Sequence, residues 1–283
     1  MHKRILITGA TGVIGNAVAE RLRTAGAEVT GISLSTGHDL RDPETLENIS
    51  GPFDCLIHCA ASFGGDAQSE AENELTNVRG TSNAVSLAAR TGCSHFIYVS
   101  SIFAIDNEAN GYFSTSYSQT KRKGEAAAKT ACGEHGLKLA ILRLPPIYDA
   151  AGRSRPKRKF LFDIIDAALS GTPLKVSASD APRNFVLDED AAEIIARVAE
   201  RRMEGEFDIS HPDSHTAEEI ATFAAKAAGL DVRLVRDPDM PAPPPMFIPN
   251  GSSLFDKIGF RPRVSLKDGI AMIMKHIKTK ENR

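Results

Sequence analysis

Apolar positions in the first half of the chain follow two rhythms in turn. Short β-type runs occur at Ile5–Ile7, Glu28–Ile32, Phe53–His58, His95–Ser100 and Leu137–Leu144. Between them, apolar residues recur three and four apart, the spacing of one helix face. Val13, Ile14, Val18 and Leu22 form such a stripe, as do Leu75, Val78, Val85 and Leu87 within a longer helical region over 68–90. Strands and helices in strict alternation predict a doubly wound parallel sheet. In such sheets ligands sit beyond the carboxyl ends of the strands. Gly9, Ala60, Ser101 and Pro145 each follow a strand end, so they converge on one rim.

The rhythm changes after Tyr148. A helix over 160–170, a strand over 183–187, a helix capped by Asp188 and running to about Arg202, and a last strand over 205–210 are expected. Capping boxes, in which a hydroxyl and a carboxylate three residues on satisfy each other's backbone amides, are read at Thr216–Glu219, Ser253–Asp256 and Ser265–Asp268. Met240–Pro249 reads as extended and proline-rich. The division expected is a nucleotide-binding unit from 1–148 plus 183–210, and a small C-terminal α/β substrate lobe from 149–182 plus 211–283.

The stretch organising the first half is Thr8-Gly9-Ala10-Thr11-Gly12-Val13-Ile14-Gly15, set between a strand and a helix. There Gly9 permits the turn, Gly12 lets backbone approach a pyrophosphate, and Gly15 lets the helix pack against the strand. The free N–H groups and positive dipole end of that helix suit phosphate. At the end of the second strand, where an acid would hold ribose hydroxyls, stands Ser33; the missing carboxylate leans toward NADP over NAD.

Bulk properties narrow the function classes. A formal charge of −2 over 283 residues leaves no electrostatic footprint for nucleic acid or anionic membrane. No apolar run approaches the roughly 18 residues of a membrane span, and the chain enters its first strand without a leader pattern. Cysteines 55, 59, 93 and 132 have no metal-ligand spacing, and Cys55 and Cys59 read as core. A cytoplasmic, reduced, metal-free protein with a small-molecule substrate is expected.

Further along, Tyr117 and Lys121 lie four apart and share a helix face. Asn77 and Asn83 sit inside a helical pattern where asparagine is disfavoured, as exposed positions or, for Asn77, a polar anchor near the site. The run Arg153, Arg155, Lys157, Arg158, Lys159 is either a solvated face or a clamp on an anionic substrate. Ala126–Ala128 permit close helix pairing, in a homodimer or within one chain.

Together these motifs resemble the extended short-chain dehydrogenase/reductases, in their NAD-dependent epimerase/dehydratase branch, over nearly the whole chain. The residues that carry the likeness are Thr8-Gly9-x-x-Gly12-x-x-Gly15, Asp39-Leu40-x-Asp42, Ile57-His58-x-Ala60-Ala61, Asn77-Val78-x-Gly80-Thr81-x-Asn83, Val99-Ser100-Ser101, Tyr117-x-x-x-Lys121, Leu142-Arg143-x-Pro145, Arg183-x-Phe185-Val186 and Ile258-Gly259-Phe260-x-Pro262. The resemblance implies a Rossmann-like fold and a bound NAD or NADP. The cofactor would lie against Gly9, Thr11, Gly12, Val13, Ile14, Gly15, Ser33, Asp39, Leu40, Cys59, Ala60, Ala61, Asn77, Pro145, Tyr117 and Lys121. Tyr117 would be the acid/base, Lys121 would hold the nicotinamide ribose and lower the phenol's pKa, and Ser101 would bond the substrate oxygen. Arg183 would bind substrate, as in relatives that place arginine on a nucleotide-sugar diphosphate.

Relatives that eliminate water carry an acid just after the catalytic hydroxyl. Here Ile102 and Phe103 follow Ser101, which argues against a dehydratase. Oxidoreduction, or epimerisation at one carbon through a transient ketone, is the expected reaction, on a sugar or nucleotide sugar. The alternatives are a small carbonyl or sugar acid as substrate, and a non-catalytic NAD(P)-sensing protein. Two positions depart from the branch: Asp149 where glycine is usual, and Asp188 where an apolar residue is.

Overall fold

The computed structural model describes residues 4–63, 67–179, 181–230 and 233–281. In chain order the elements begin β1 (Arg4–Thr8), α1 (Val13–Thr24), β2 (Glu28–Ile32), β3 (Cys55–His58), α2 (Ala67–Glu74), α3 (Gly80–Arg90), β4 (His95–Ser101), α4 (Ser116–His135), β5 (Lys138–Leu144) and β6 (Ile147–Tyr148). They continue with α5 (Lys159–Ser170), β7 (Leu174–Ser177), β8 (Val186–Leu187), α6 (Asp188–Glu200), β9 (Gly205–Asp208), α7 (Ala217–Ala228), β10 (Leu234–Asp237), α8 (Ser252–Ile258) and α9 (Leu266–Glu281).

Six parallel strands form the main sheet in the order β2-β1-β3-β4-β5-β9. Strand alternation sorts its side chains onto two buried faces. Ile5, Ile7, Ile57, Ile97 and Leu142 pack under α1 and α6 with Val18, Leu22, Ile194 and Ile195. Leu6, Leu56, Phe96 and Ile141 pack on the other side against Val85 and Leu87 of α3 and Ala128 and Cys132 of α4. Both faces are therefore covered, which is why these strands read as apolar runs. The doubly wound, Rossmann-like fold is as the alternation predicts. Ala128 is fully buried within the chain while Ala126 is exposed, so the alanines of α4 serve in part as monomer core.

A second core joins Tyr148, Leu161, Ile164, Leu187, Ile220 and Ile270, from α5, α7, α9 and the short β6–β8 pair. Sequence periodicity missed the β7–β10 pair that completes this lobe, so the strand at 205–208 is not the last. Arg183–Leu187 is a strand only over its final two residues, with an isolated bridge from Arg183 to His215. The cap of α6 is Leu187, and Asp188 is its first helical residue. The capping box at Thr216–Glu219 is formed; at Ser265–Asp268 the hydroxyl accepts from Asp268 N and donates to the Asp268 carboxylate; at α8 the cap is Gly251, two residues before the expected Ser253.

The long helical region breaks into α2, a π-helical stretch over Leu75–Arg79, and α3. The extra residue in a π turn rotates the side chains that follow it. Leu75, expected on the buried stripe, is 43% exposed, while Asn77 is turned inward at 1%.

Candidate active site

β1 sits where the winding reverses, between β2 and β3, so a crevice opens above their carboxyl ends. Gly9 adopts a positive φ of 66°, and a Cβ there would stand 2.7 Å from the Cα of Ala60. A Cβ on Gly15 would overlap the Gly9 carbonyl. The two glycines let three backbone segments close to a spacing that no side chain permits. α1 starts at Gly12 with no side-chain cap and no acid in its first turn, leaving a positive helix end facing the crevice.

A cleft of about 780 Å³ runs from this turn across the rim. Of the residues picked out from sequence, it is lined by Gly9, Thr11, Gly12, Val13, Ile14, Gly15, Ser33, Asp39, Leu40, Cys59, Ala60, Ala61, Ser101, Tyr117 and Pro145. Three others, Asn77, Lys121 and Arg183, are not among its lining residues.

Asn77 works from beneath. Its Oδ1 accepts from Ser62 N at 2.9 Å, and its Nδ2 donates to Ser62 O and Thr120 Oγ1, each at 3.0 Å. It therefore fastens the loop after β3 to α4. Below lies His58, between Thr8 Oγ1 at 2.7 Å and Thr81 Oγ1 at 3.1 Å. Burial, helped by Lys121, pushes this imidazole down to about 3, so it stays neutral and structural. Asn83, exposed on the simplest reading, is a second anchor: Nδ2 donates to Leu40 O at 2.7 Å. The Cys59 thiol is pushed by burial up to about 12 and remains protonated.

At the β2 end of the cleft the polar groups are hydroxyls. Ser35 Oγ lies 3.0 Å from both Ser33 Oγ and Thr11 Oγ1, and Thr36 Oγ1 meets His38 Nδ1 at 3.2 Å. Asp39 is the nearest carboxylate in sequence, but Arg41 grips it with Nε at 2.9 Å and Nη2 at 2.7 Å, holding its pKa below the usual range.

At the other end, β4 delivers Ser101 and the first turn of α4 delivers Tyr117. Thr115 caps that helix, accepting from Ser118 N. The Tyr117 ring meets Phe63 edge-on, with centroids 4.7 Å apart. Burial raises the phenol above its ordinary value, against Arg158 and a hydrogen bond with Ser101, which lower it. Lys121, one turn on, is 2% exposed; its Nζ donates to Val99 O at 2.7 Å and lies 4.3 Å from the Tyr98 ring centroid. Burial pushes this amine down to about 8, opposed by Glu125. The cation acting on the phenol is thus Arg158, which the sequence reading left within an undifferentiated basic run.

That run separates in the structure. Arg155 pairs with Asp166, and Lys159 with Asp163 at 2.8 Å; neither lines the cleft. Arg153 bridges Asp149 at 3.4 Å and Asp188 at 3.5 Å. The two positions that depart from the branch pattern therefore meet through one guanidinium. Asp149 also accepts from Ser154 N at 2.7 Å and Arg153 N at 3.0 Å, shaping the loop, and its pKa is lowered despite burial. Asp188 accepts a single backbone N–H, from Glu189 at 3.0 Å, and burial beside Asp149 pushes it up to about 7. Lys157 and Arg158 line the cleft with no carboxylate partner among the described residues.

Arg183 lies behind this wall. Its Nη1 donates to Tyr112 OH at 2.9 Å, and its guanidinium stacks 4.4 Å from the Phe160 ring centroid. Tyr112 in turn stacks on Phe103, which does line the cleft, with centroids 4.2 Å apart. Of the Ser100-Ser101 pair, Ser100 also lines the cleft but donates to buried Glu125 at 2.5 Å, which Arg143 holds at 2.6 Å; Glu125 is the member that sequence reasoning missed.

Among the described residues no group of three or more acidic, histidine or cysteine side chains is placed to hold a metal, and no helix is long and apolar enough to cross a membrane.

Residues 5–209 match the NAD dependent epimerase/dehydratase family. Methionine adenosyltransferase 2 subunit beta of Xenopus laevis is 28% identical over 295 residues, spanning 95% of this chain and 86% of that protein. The UDP-glucose 4-epimerase of Thermus thermophilus, solved with NAD, aligns with a TM-score of 0.80 at 23% identity, over 97% of this chain and 99% of that one. RMD from Pseudomonas aeruginosa, solved with NADPH, aligns with a TM-score of 0.83 at 18% identity, over 98% and 99%. These structural likenesses establish a shared fold.

Proposed function

The chain belongs to the NAD dependent epimerase/dehydratase family, and from that premise we propose that it transfers hydride and a proton at a hydroxyl or ketone carbon of a sugar, as an NAD(P)-dependent oxidoreductase or single-centre epimerase. One observation carries this reading: a single cleft is lined at one end by the glycine turn and at the other by Ser101 and Tyr117. The residues fit the cofactor. Gly9 and Gly15 make a cradle that a Cβ would fill, and the uncapped end of α1 offers N–H groups to a pyrophosphate. Hydroxyls of Ser33 and Ser35, with no free carboxylate beside them, favour a ribose 2′-phosphate and so NADP over NAD. NAD(P) supplies the hydride chemistry when bound; the protein aims it.

The chain's own groups then handle the proton. Tyr117 Oη takes it from a substrate hydroxyl or returns it to a carbonyl oxygen. Ser101 Oγ bonds the same oxygen. Arg158 favours the phenolate, as a nearby cation must, and offsets the burial of Tyr117. Lys121 has two further donors on Nζ beyond that given to Val99 O, and we assign these to the nicotinamide ribose. Asp39 and Glu72, the carboxylates that line the cleft, act on Arg41. With Ile102 and Phe103 after Ser101, no acid stands ready to remove a carbon-bound proton for elimination.

A nucleotide sugar is the first substrate class to test, given the likeness to a UDP-glucose 4-epimerase. A small non-nucleotide carbonyl or sugar acid is the second, and the placement of Arg183 behind Tyr112 and Phe160 favours it. Uridine or thymidine diphosphate should raise the melting temperature of the NADPH-bound protein under the first reading and leave it unchanged under the second. Tyr117→Phe should lower turnover by about 10²–10⁴-fold, the range for a lost acid/base, with cofactor affinity within twofold of wild type. Unchanged turnover refutes the assignment. Dinucleotide binding with no turnover in wild type, across neutral and acidic sugars, marks a sensing protein instead.

A further inference from the structure

Lys157 and Arg158 are two consecutive cations on the cleft wall that faces Tyr117. Every other basic residue of their loop has an acidic partner: Arg153 with Asp149 and Asp188, Arg155 with Asp166, Lys159 with Asp163. The Arg158 guanidinium is fixed by its own backbone, Nε donating to Ile147 O and Nη1 to Lys157 O, both at 2.8 Å. Its Nη2 makes no hydrogen bond among the described residues. α5 begins immediately after it, with no side-chain cap and no acid in its first turn, so the helix adds to the positive field. A rigid, partly buried guanidinium with a free edge, an adjacent ammonium and no countercharge is the arrangement that binds a carboxylate or phosphate.

We propose that Arg158 and Lys157 bind a carboxylate of the substrate, so that the enzyme acts on a small hydroxy or oxo acid whose anionic group lies close to the reacting carbon. The proposal rests on the assignment of Tyr117 as the acid/base. Two observations favour a carboxylate over a nucleotide diphosphate. Arg158 and Tyr117 line the same cleft, and the cation lowers the phenol's pKa, so an anion held at the guanidinium lies in the chamber of the oxygen that Tyr117 serves. Arg183, the arginine expected on a nucleotide-sugar diphosphate, is held by Tyr112 and Phe160 and does not line the cleft.

The test is ternary binding, followed by nicotinamide fluorescence at saturating NADPH. D-glucuronate, D-gluconate and D-glycerate are each titrated against the neutral counterparts D-glucose, D-glucitol and glycerol, with inorganic phosphate and UDP as further arms. At least one acid should bind while its counterpart does not. Arg158→Gln should weaken that acid at least tenfold and the exposed Lys157→Gln about fivefold, with NADPH affinity within twofold of wild type in both. With NADP+ replacing NADPH as the hydride acceptor for the hydroxy acids, Tyr117→Phe should still bind the acid but turn it over at least about 10²-fold more slowly than wild type. Equal acid affinity in wild type and both variants overturns the proposal, as does binding of UDP or neutral sugars with none of the acids. Acid binding that needs Arg158 but turnover that survives Tyr117→Phe leaves the anion site standing and refutes the acid/base assignment. Absence of NADPH binding removes both.

Discussion

Replacing Asp188 with asparagine should stabilise the protein, and only at higher pH. Asp188 is 6% exposed, and burial next to Asp149 lifts its pKa from 3.8 to about 7. A carboxyl group with a raised folded-state pKa favours folding fully below its unfolded value, and that benefit is lost as pH rises through the folded value. Wild type should therefore lose stability between about pH 4 and pH 7 through this residue. A rise of about three pH units, at about 1.4 kcal/mol each, sets a ceiling of about 4 kcal/mol. That value already includes Arg153, whose side chain is 44% exposed and 3.5 Å away, a pair worth less than about 1 kcal/mol. Asp188→Asn keeps the shape, removes the repulsion with Asp149 and leaves Arg153 on Asp149. The gain at pH 8 should be about 1–3 kcal/mol, read as a melting temperature roughly 2–8 °C above wild type. At pH 4 the two proteins should melt within about 1 °C of each other. Thermal scans at pH 4, 6 and 8 decide the matter. A difference that is constant with pH, or a variant less stable at pH 8, would refute the placement of Asp188 as a buried acid facing Asp149.

Asn77→Ala should cost about 1–2 kcal/mol by leaving the half-buried backbone of Ser62 without its side-chain partner, measured by urea unfolding. It should also weaken dinucleotide binding, since that loop lines the cleft; a stability loss with no change in cofactor affinity would make Asn77 a purely structural residue. NADPH should bind more tightly than NADH, and Ser33→Asp, which supplies the missing acid, should reverse the order; an unchanged order would displace the adenosine end from β2.

The architecture was legible because it depends on patterns that survive averaging over several residues. Runs such as Ile5–Ile7 and Leu139–Leu144 carry the parallel sheet, and a glycine triplet in a strand–helix frame carries the turn. Single-residue outcomes depend on geometry that no spacing encodes. The π turn at 75–79 decides that Asn77 faces inward and Leu75 outward. The β7–β10 pair was missed because its four-residue strands, one of them Leu174–Ser177, have little alternation to detect. Tyr117 and Lys121 do share a helix face, yet the ammonium is drawn to Val99 O on the interior strand β4, and Arg158, 41 positions from Tyr117 in sequence, is the cation that lowers the phenol's pKa. The basic run illustrates the same limit. Composition shows five cations, and only the fold shows that Arg153, Arg155 and Lys159 are paired with carboxylates while Lys157 and Arg158 stand in the cleft wall without one.

The central claim is that a dinucleotide lies over the first glycines with its reactive end beside Tyr117. The chain has no tryptophan, so nicotinamide fluorescence can be followed with little interference from the protein. Titration of NADPH should saturate at one per chain with a blue-shifted, enhanced emission. Gly15→Val, whose side chain would collide with the Gly9 carbonyl, should abolish the signal while leaving Tyr117→Phe as a competent binder. Wild type with no saturable signal, or Gly15→Val binding as well as wild type, would contradict the account.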